Sequence, residues 1–567
     1  MNATSHTKLR PLAWSGLATA ALLAGCGGDD GPPAQPLACA DLSGMAIPAS
    51  AIGLPTSGGT VTTATMVAAS GTGAAAVPEH CLVSASISPV DATAPKILLR
   101  VALPGTWNSK VLMYGGGGFD GSIPNVAGNV PAGPTDAPLP LARGYAVFAS
   151  DSGHQAGARG SLDGSFGLND EALRNWGGDA LKKTRDAAVF LVKARYAGNP
   201  AKAYFAGGST GGREALQSIQ RWPNDWDGAI AWYPAWNQAS AMLGGQKASI
   251  TLARPGAYPN GAKRLAVFQA AMQACDGLDG VTDGLIANQA ACNASFDPAT
   301  AMVNGAPLRC AGGADTADTC LSDVQIDALK TMNAPVKFGF TLTSGETGYP
   351  GYNIWGADLG IPSFTAAIQP TITFLNLGSS QPANPMPATA PYISQQLDQV
   401  LKNIITRDQA FDPLTFDPTL PNAALAPRWG LLSSMIDQST DISGFAARGG
   451  KLLLAHGLHD ALVSSRATAD YYGRLRQRFG AATADSFIRY YEVAGFGHAF
   501  SSQFNATWDS LTALEQWAEK GAAPSGQITR DTVGVPGRTR PLCDHPTWPR
   551  YKGTGDVNVA SSYNCVN

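Results

Sequence analysis

Two blocks of this 567-residue chain alternate short apolar runs with amphipathic stretches, and a long block between them does not. In the first, Lys110–Gly115 and Tyr145–Ser150 are apolar runs bounded by Gly and Asp, the pattern of buried strands. Asp179–Tyr196 reads as a helix, because Ala187, Phe190, Leu191 and Ala194 recur at helical spacing. A strand at Ala203–Gly207, a helix at Arg213–Trp222 and a strand at Gly228–Trp232 continue the alternation. The second block repeats it, with strand Lys451–Ala455, helix Ser465–Phe479, strand Phe487–Val493 and helix Thr507–Lys520. This order predicts an α/β fold with a doubly wound, mostly parallel sheet. Trp236–Met435, rich in Ala, Pro, Gly, Asn and Thr, lacks the pattern and is expected to form an inserted lid. The core is then split into residues 39–235 and 436–567, with the lid, 236–435, between them.

The strand at Ala203 runs into Gly207-Gly208-Ser209-Thr210-Gly211 and then into a helix. Gly-x-Ser-x-Gly between strand and helix is the layout of an α/β-hydrolase elbow, whose serine sits on a turn too tight for neighbouring Cβ atoms. With 65 glycines in the chain, a glycine-rich turn that happens to hold a serine is the plain alternative. In this layout the acid and the histidine follow the serine, each after a strand. His498, in Ala494-Gly-Phe-Gly-His-Ala-Phe500, lies between the last strand and the last helix, where the general base belongs. Asp460, in Leu452-Leu-Leu-Ala-His-Gly-Leu-His-Asp460, is the expected acid, and Asp151, which precedes the serine, is its rival. The other histidines, His80, His154, His456, His459 and His545, fit less well by order or context. An oxyanion needs two N–H donors. Thr210, after the serine, supplies one, and Gly118 in Tyr114-Gly-Gly-Gly-Gly-Phe119 is the candidate for the other.

Charge is low and balanced, 39 basic against 42 acidic residues, and no basic patch interleaved with aromatics points to nucleic acid. Lys8 and Arg10 precede an apolar stretch, Leu12–Ala24, too short to span a bilayer. Residues 1–25 thus read as an export signal. Leu23-Ala-Gly-Cys26 has the form of a lipoprotein cleavage box, so Cys26 is the expected site of lipidation and the only expected membrane contact. An ordinary signal peptide cut near Ala24 is the alternative. Residues 26–38 form a flexible tether, and the product is an outer-membrane lipoprotein, periplasmic or at the cell surface, or secreted if the box is unused. Eight cysteines remain of nine, an even number that favours disulfides in an oxidising compartment. Eight cysteines allow 105 pairings, and sequential pairing is the simplest. Asp276-Gly-Leu-Asp279-Gly-Val281-Thr-Asp283-Gly-Leu285 offers three carboxylates and flexible carbonyls, a donor set suited to Ca²⁺, or else a solvated Asp/Gly turn.

Taken in order, these segments resemble the tannase and feruloyl esterase family, which includes hydrolases of terephthalate monoesters. The resemblance runs from about Cys39 to Cys565 and includes Pro78-Glu-His-Cys81, Gly115–Gly118, Gly207-Gly-Ser-Thr-Gly-Gly-Arg-Glu214, Cys275-Asp-Gly-Leu-Asp279, His456-Gly-Leu-His-Asp460, Arg540-Pro-Leu-Cys543 and Tyr551-Lys-Gly-Thr-Gly-Asp556. It implies a serine esterase with the triad Ser209, His498 and Asp460, and an oxyanion hole at Gly118 and Thr210. It implies a lid Ca²⁺ on Asp276, Asp279 and Asp283 with the carbonyls of Val281 and Leu285. The disulfides it implies are Cys39–Cys81, Cys275–Cys292, Cys310–Cys320 and Cys543–Cys565. Two departures stand out. Many members carry a disulfide between the residue before the serine and the residue after the histidine, here Gly208 and Ala499, so a less rigid site is expected. Terephthalate-monoester hydrolysis uses a lid arginine to clamp a carboxylate, but no arginine lies between Arg309 and Arg407, only Lys330, Lys337 and Lys402. A lysine could replace it as a point charge. The expected substrates are neutral or phenolic aromatic esters, feruloyl-type first and synthetic diesters second. A monoester or polyester-oligomer hydrolase is the alternative, and a Ca²⁺-stabilised surface binding protein on a degenerate scaffold is the non-enzymatic one.

Overall fold

The sheet forms where the chain is most apolar. The computed structural model describes residues 35–361 and 367–567, so the leader, Cys26 and most of the tether lie outside it. The main-sheet strands are β1 (Ala46–Ile47), β2 (Gly59–Val67), β3 (His80–Ile87), β4 (Ile97–Pro104), β5 (Lys110–Tyr114), β6 (Ala146–Ser150), β7 (Lys202–Gly208), β8 (Gly228–Trp232), β9 (Lys451–Gly457) and β10 (Ile488–Val493). They lie in the order β1-β2-β3-β4-β6-β5-β7-β8-β9-β10. From β6 to β10 every pairing is parallel, and from β1 to β6 every pairing is antiparallel. The antiparallel end is absent from the sequence-based expectation. In β2 only Val61 and Ala64 are buried in a threonine-rich run, so the strand carries little apolar signal.

Register assigns each face its side chains. Val111 and Met113 of β5, Phe205 of β7, Ala229 of β8 and Leu452 and Leu454 of β9 point into one core. That core is closed by helices α1 (Ala180–Tyr196), α2 (Thr210–Arg221) and α5 (Ser465–Phe479). Leu112, Tyr204, Ile230, Trp232 and Leu453, one residue out of phase, face the other core, under α6 (Ser510–Lys520). The period-2 alternation explains why both faces read as one continuous apolar run.

Between β8 and β9 the chain builds a third core of its own. This segment is helical, including α3 (Gln238–Leu252) and α4 (Gly261–Cys275). The sequence shows no strand–helix alternation here, and its helices left little signal for a physical reason: α3 is buried on nearly all sides, so it has no polar face to create a 3.6-residue period. Phe119, Trp176 and Ala467 from the sheet's loops and helices enter the same core and fasten the two parts together. The four disulfides pair sequentially, Cys39–Cys81, Cys275–Cys292, Cys310–Cys320 and Cys543–Cys565. Among the described residues no helix is long and apolar enough to cross a membrane.

Phe205 lies fully buried at the centre of β7, edge-on to Trp226 at 5.4 Å between ring centroids. Phe205→Ala is expected to cost about 3–5 kcal/mol, read as a lower urea midpoint at unchanged slope.

Candidate active site

Strand β7 ends at Gly208, and Ser209 takes φ 60°, ψ −122° at the head of α2. Such a conformation persists only where the surroundings impose it. The Ser209 N–H donates to Trp232 O at 3.1 Å, and its carbonyl accepts from Ala235 N at 3.2 Å. At Gly207 a Cβ would stand 2.2 Å from Gly211 O, so the elbow closes only on glycine there.

His498 Nε2 lies 3.0 Å from Ser209 Oγ, and its Nδ1 lies 2.7 Å from Asp460 Oδ2. Since the carboxylate only accepts, Nδ1 carries the proton and the Nε2 lone pair faces the serine hydroxyl. Asp460 is fully buried, and its Oδ1 accepts from the N–H groups of Leu462 and Val463, both at 2.8 Å. Burial alone would raise its carboxyl, but electrostatic attraction to His498 and hydrogen bonds from both neighbouring imidazoles hold it well below the usual range. The second imidazole is His456, whose Nε2–H reaches Asp460 Oδ2 at 3.2 Å and Val463 O at 3.0 Å. Thr468 Oγ1, 2.9 Å from His456 Nδ1, donates to it and fixes the tautomer. The sequence singled out His456 only as part of a motif, and its place at the end of β9, four residues before the acid, was the available signal. Asp151 lies elsewhere, accepting from Leu98 N, Gly153 N and Gln155. His80, His459 and His545 face Pro78 O, Gln289 and Glu492.

Above the serine, Thr210 Oγ1 donates to Gly118 O at 2.7 Å and Gly211 N donates to Gly116 O at 3.0 Å, tying the glycine loop to α2. Phe119 N donates to Ser161 O, and the N–H groups of Gly117 and Gly118 take part in none of these bonds. Serine, histidine and loop share one cavity of about 730 Å³. Its lining includes no Asp, Glu, Lys or Arg among the described residues. The undescribed Pro362–Ala366 contains no charged residue type either. The lid lysines are elsewhere: Lys330 pairs with Asp297 and Lys402 with Asp398, and Lys337 lies outside the cavity lining.

Sequence reasoning missed Tyr233. Its ring is buried 4.9 Å from the His498 ring and packs on Phe496. A Cβ on Gly208 would stand 2.6 Å from that ring, so Gly208 is the counterpart of Tyr233 across the elbow. The aromatic residue following β8 was the only sequence signal.

In the lid, Asp276 accepts from the N–H groups of Asp283, Gly284 and Leu285, and Asp279 accepts from Val281 N. Asp283 pairs with Arg540 and accepts from Tyr563 Oη at 2.9 Å. Among the described residues no three His, Cys, Asp or Glu side chains are arranged to hold a metal ion by themselves. The fit to Ca²⁺ is one of chemistry: only oxygen donors, with Asp276 and Asp279 buried. Burial and the charges of Asp283 and Asp276 push the Asp279 carboxyl up to about 7, a repulsion that a cation would relieve.

Residues 81–566 match the family model described as tannase and feruloyl esterase. The chain belongs to this family. An uncharacterized esterase of Agrobacterium fabrum is 36% identical to it over 540 residues, 93% of each chain. The mono(2-hydroxyethyl) terephthalate hydrolase of Piscinibacter sakaiensis is 34% identical over 552 residues, 87% of this chain and 86% of that one. Feruloyl esterase B from Aspergillus oryzae has the same fold, with TM-score 0.71 at 21% identity over 90% of this chain and 98% of its own. The protein is a carboxylic ester hydrolase.

Gly208→Ala is expected to lower kcat at least about tenfold by driving Tyr233 against His498, with KM changed less. Adding Tyr233→Leu should recover part of the loss, read by steady-state kinetics on one ester.

Proposed function

We propose that this is an exported serine esterase that cleaves uncharged esters of aromatic acids through an acyl-enzyme. The observation that carries the reading is the Ser209–His498–Asp460 chain of contacts, 3.0 and 2.7 Å, opening into a cavity that has no Asp, Glu, Lys or Arg among the described residues. Ser209 attacks the ester carbonyl as His498 Nε2 takes its proton, and Asp460 stabilises the imidazolium that forms. The N–H groups of Gly118 and Thr210 receive the oxyanion. His498 then protonates the leaving alcohol and later draws a proton from the water that releases the acid. The four disulfides support an oxidising destination, with Cys26 as the lipid anchor.

The family and the terephthalate-monoester relative support an aromatic acyl group. The uncharged lining favours a neutral ester over a monoanion, because a carboxylate moved into it would lose water without gaining a partner. Feruloyl-type esters come first and neutral terephthalate diesters second. Where the family's paired cysteines would stand, at Gly208 and Ala499, the Tyr233 ring supplies the packing that steadies His498.

Asp276, Asp279 and Asp283 with the carbonyls of Val281 and Leu285 would hold a structural Ca²⁺. That ion would supply the positive charge that Asp276 and Asp279 lack, Asp283 already being paired with Arg540, and would fasten the turn.

Ser209→Ala should lower kcat at least about ten-thousandfold. Across methyl ferulate, methyl gallate, bis(2-hydroxyethyl) terephthalate and its monoester, kcat/KM for the monoester should fall at least about tenfold below the diester, a gap of about 1.4 kcal/mol. Equal or better turnover of the monoester would overturn the neutral-substrate reading.

The raised Asp279 carboxyl sets a pH dependence. Without the ion, the folded chain binds a proton more tightly than an unfolded aspartate, with its ordinary value of about 4. Stability in EDTA should therefore fall as pH rises from about 4 to about 7. Calcium competes with that proton, so the gain in Tm on adding it should widen over the same range, as thermal melts at pH 5 and pH 8 would reveal.

A further inference from the structure

The loop Gly115–Gly118 has no side chains, so its shape must be imposed from outside. Two buried carboxyls stand against it. Glu214 Oε2, on α2, accepts from Gly116 N at 3.1 Å, and a Cβ on Gly115 would lie 2.7 Å from the same oxygen. A Cβ on Gly116 would lie 3.0 Å from the Asp120 carboxyl, and the backbone N–H of Asp120 donates to Gly117 O at 2.8 Å. Asp120 is 3% and Glu214 2% exposed. The adjacent cation is Arg213, fully buried, with Nη2 3.8 Å from Glu214 Oε1. Its guanidinium lies over the Trp176 ring at 4.9 Å and donates to Trp176 O at 3.0 Å.

One buried cation balances one carboxylate, and a second ionised carboxyl in the same dry space would be left uncompensated. We propose that Asp120 and Glu214 share one proton, carried by Asp120, and act as the positioning pair that fixes the oxyanion loop. Asp120 Oδ1 is a buried acceptor that meets no donor. Protonated, the same carboxyl becomes a donor to Glu214, which is left free to hold Gly116 N. Burial, followed by the Glu214 charge, drives the Asp120 carboxyl well up, in the same sense. The pair plus Arg213 is then neutral.

The proposal rests on the serine-esterase reading, and its test separates the two. Asp120→Leu keeps the volume but removes the donor, and Glu214→Ala removes the acceptor for Gly116 N. Each is expected to lower kcat about 10- to 100-fold with KM within about threefold, less than the loss of an oxyanion donor itself. Asp120→Asn, whose amide donates as the protonated acid does, should restore most of what Asp120→Leu loses. Rates are taken per active site titrated with a phosphonate, so that misfolded protein does not count. Asp120→Asn as damaging as Asp120→Leu, or Glu214→Ala at full kcat, overturns the pair. If Glu214→Ala does not fold, the Asn and Leu variants of Asp120 decide between the outcomes. Failure of the esterase reading looks different: wild type unlabelled by the phosphonate, and activity surviving in Ser209→Ala.

Discussion

A carboxylate with no access to water must find all its donors inside the protein, and Asp460 is that group here. Four donors meet it: two backbone N–H groups from its own turn and two imidazoles. Each comes with a structural consequence. The amides fix the turn after β9, and His456 is anchored at the end of that strand through Thr468 of α5. His498 hangs from the loop after β10, held between Asp460 and Ser209. Removing any one donor would leave part of a buried charge unpaired, a cost well above the net worth of an ordinary hydrogen bond. The alignment of three distant segments thus follows from satisfying one anion.

How much of this the sequence displayed depends on whether its cause was local. The elbow was legible, since Gly207 must be glycine for a reason within five residues, the backbone of Gly211, whereas Gly211 itself is held to glycine by the distant Gly115–Gly116 backbone. The order of Asp460 and His498 after successive strands was legible because parallel topology dictates it. The antiparallel strands β1–β4 were not, since β2 buries so few apolar side chains. Nor were the lid helices, because a helix buried all round erases its own period. Tyr233 was invisible as a site residue for a different reason: it meets His498 from a segment that is its neighbour only in the folded sheet. His456, whose partners Asp460, Val463 and Thr468 are all local, lay in a motif that drew attention to its acid instead.

Apart from the triad's buried acid, charge stays off the cavity wall: among the described residues the lining has no Asp, Glu, Lys or Arg. The lid lysines Lys330 and Lys402 are bound to lid aspartates, and the lining keeps amides, hydroxyls and aromatic rings. On the proposed reading, His498 and the oxyanion donors would act in such a space without competing ions, which would strengthen each interaction they make. The same low polarity that would serve the proposed chemistry would also disfavour a carboxylate in the substrate.

Tyr233 shows how such a site can be held without a covalent brace. A ring 4.9 Å from His498 limits how far the imidazole can swing, but the same ring occupies the space that a Cβ at residue 208 would need. A side chain at 208 therefore requires the far end of the Tyr233 ring to move, and with it the face that the ring presents to His498, so Gly208 is what lets the ring stand where it does.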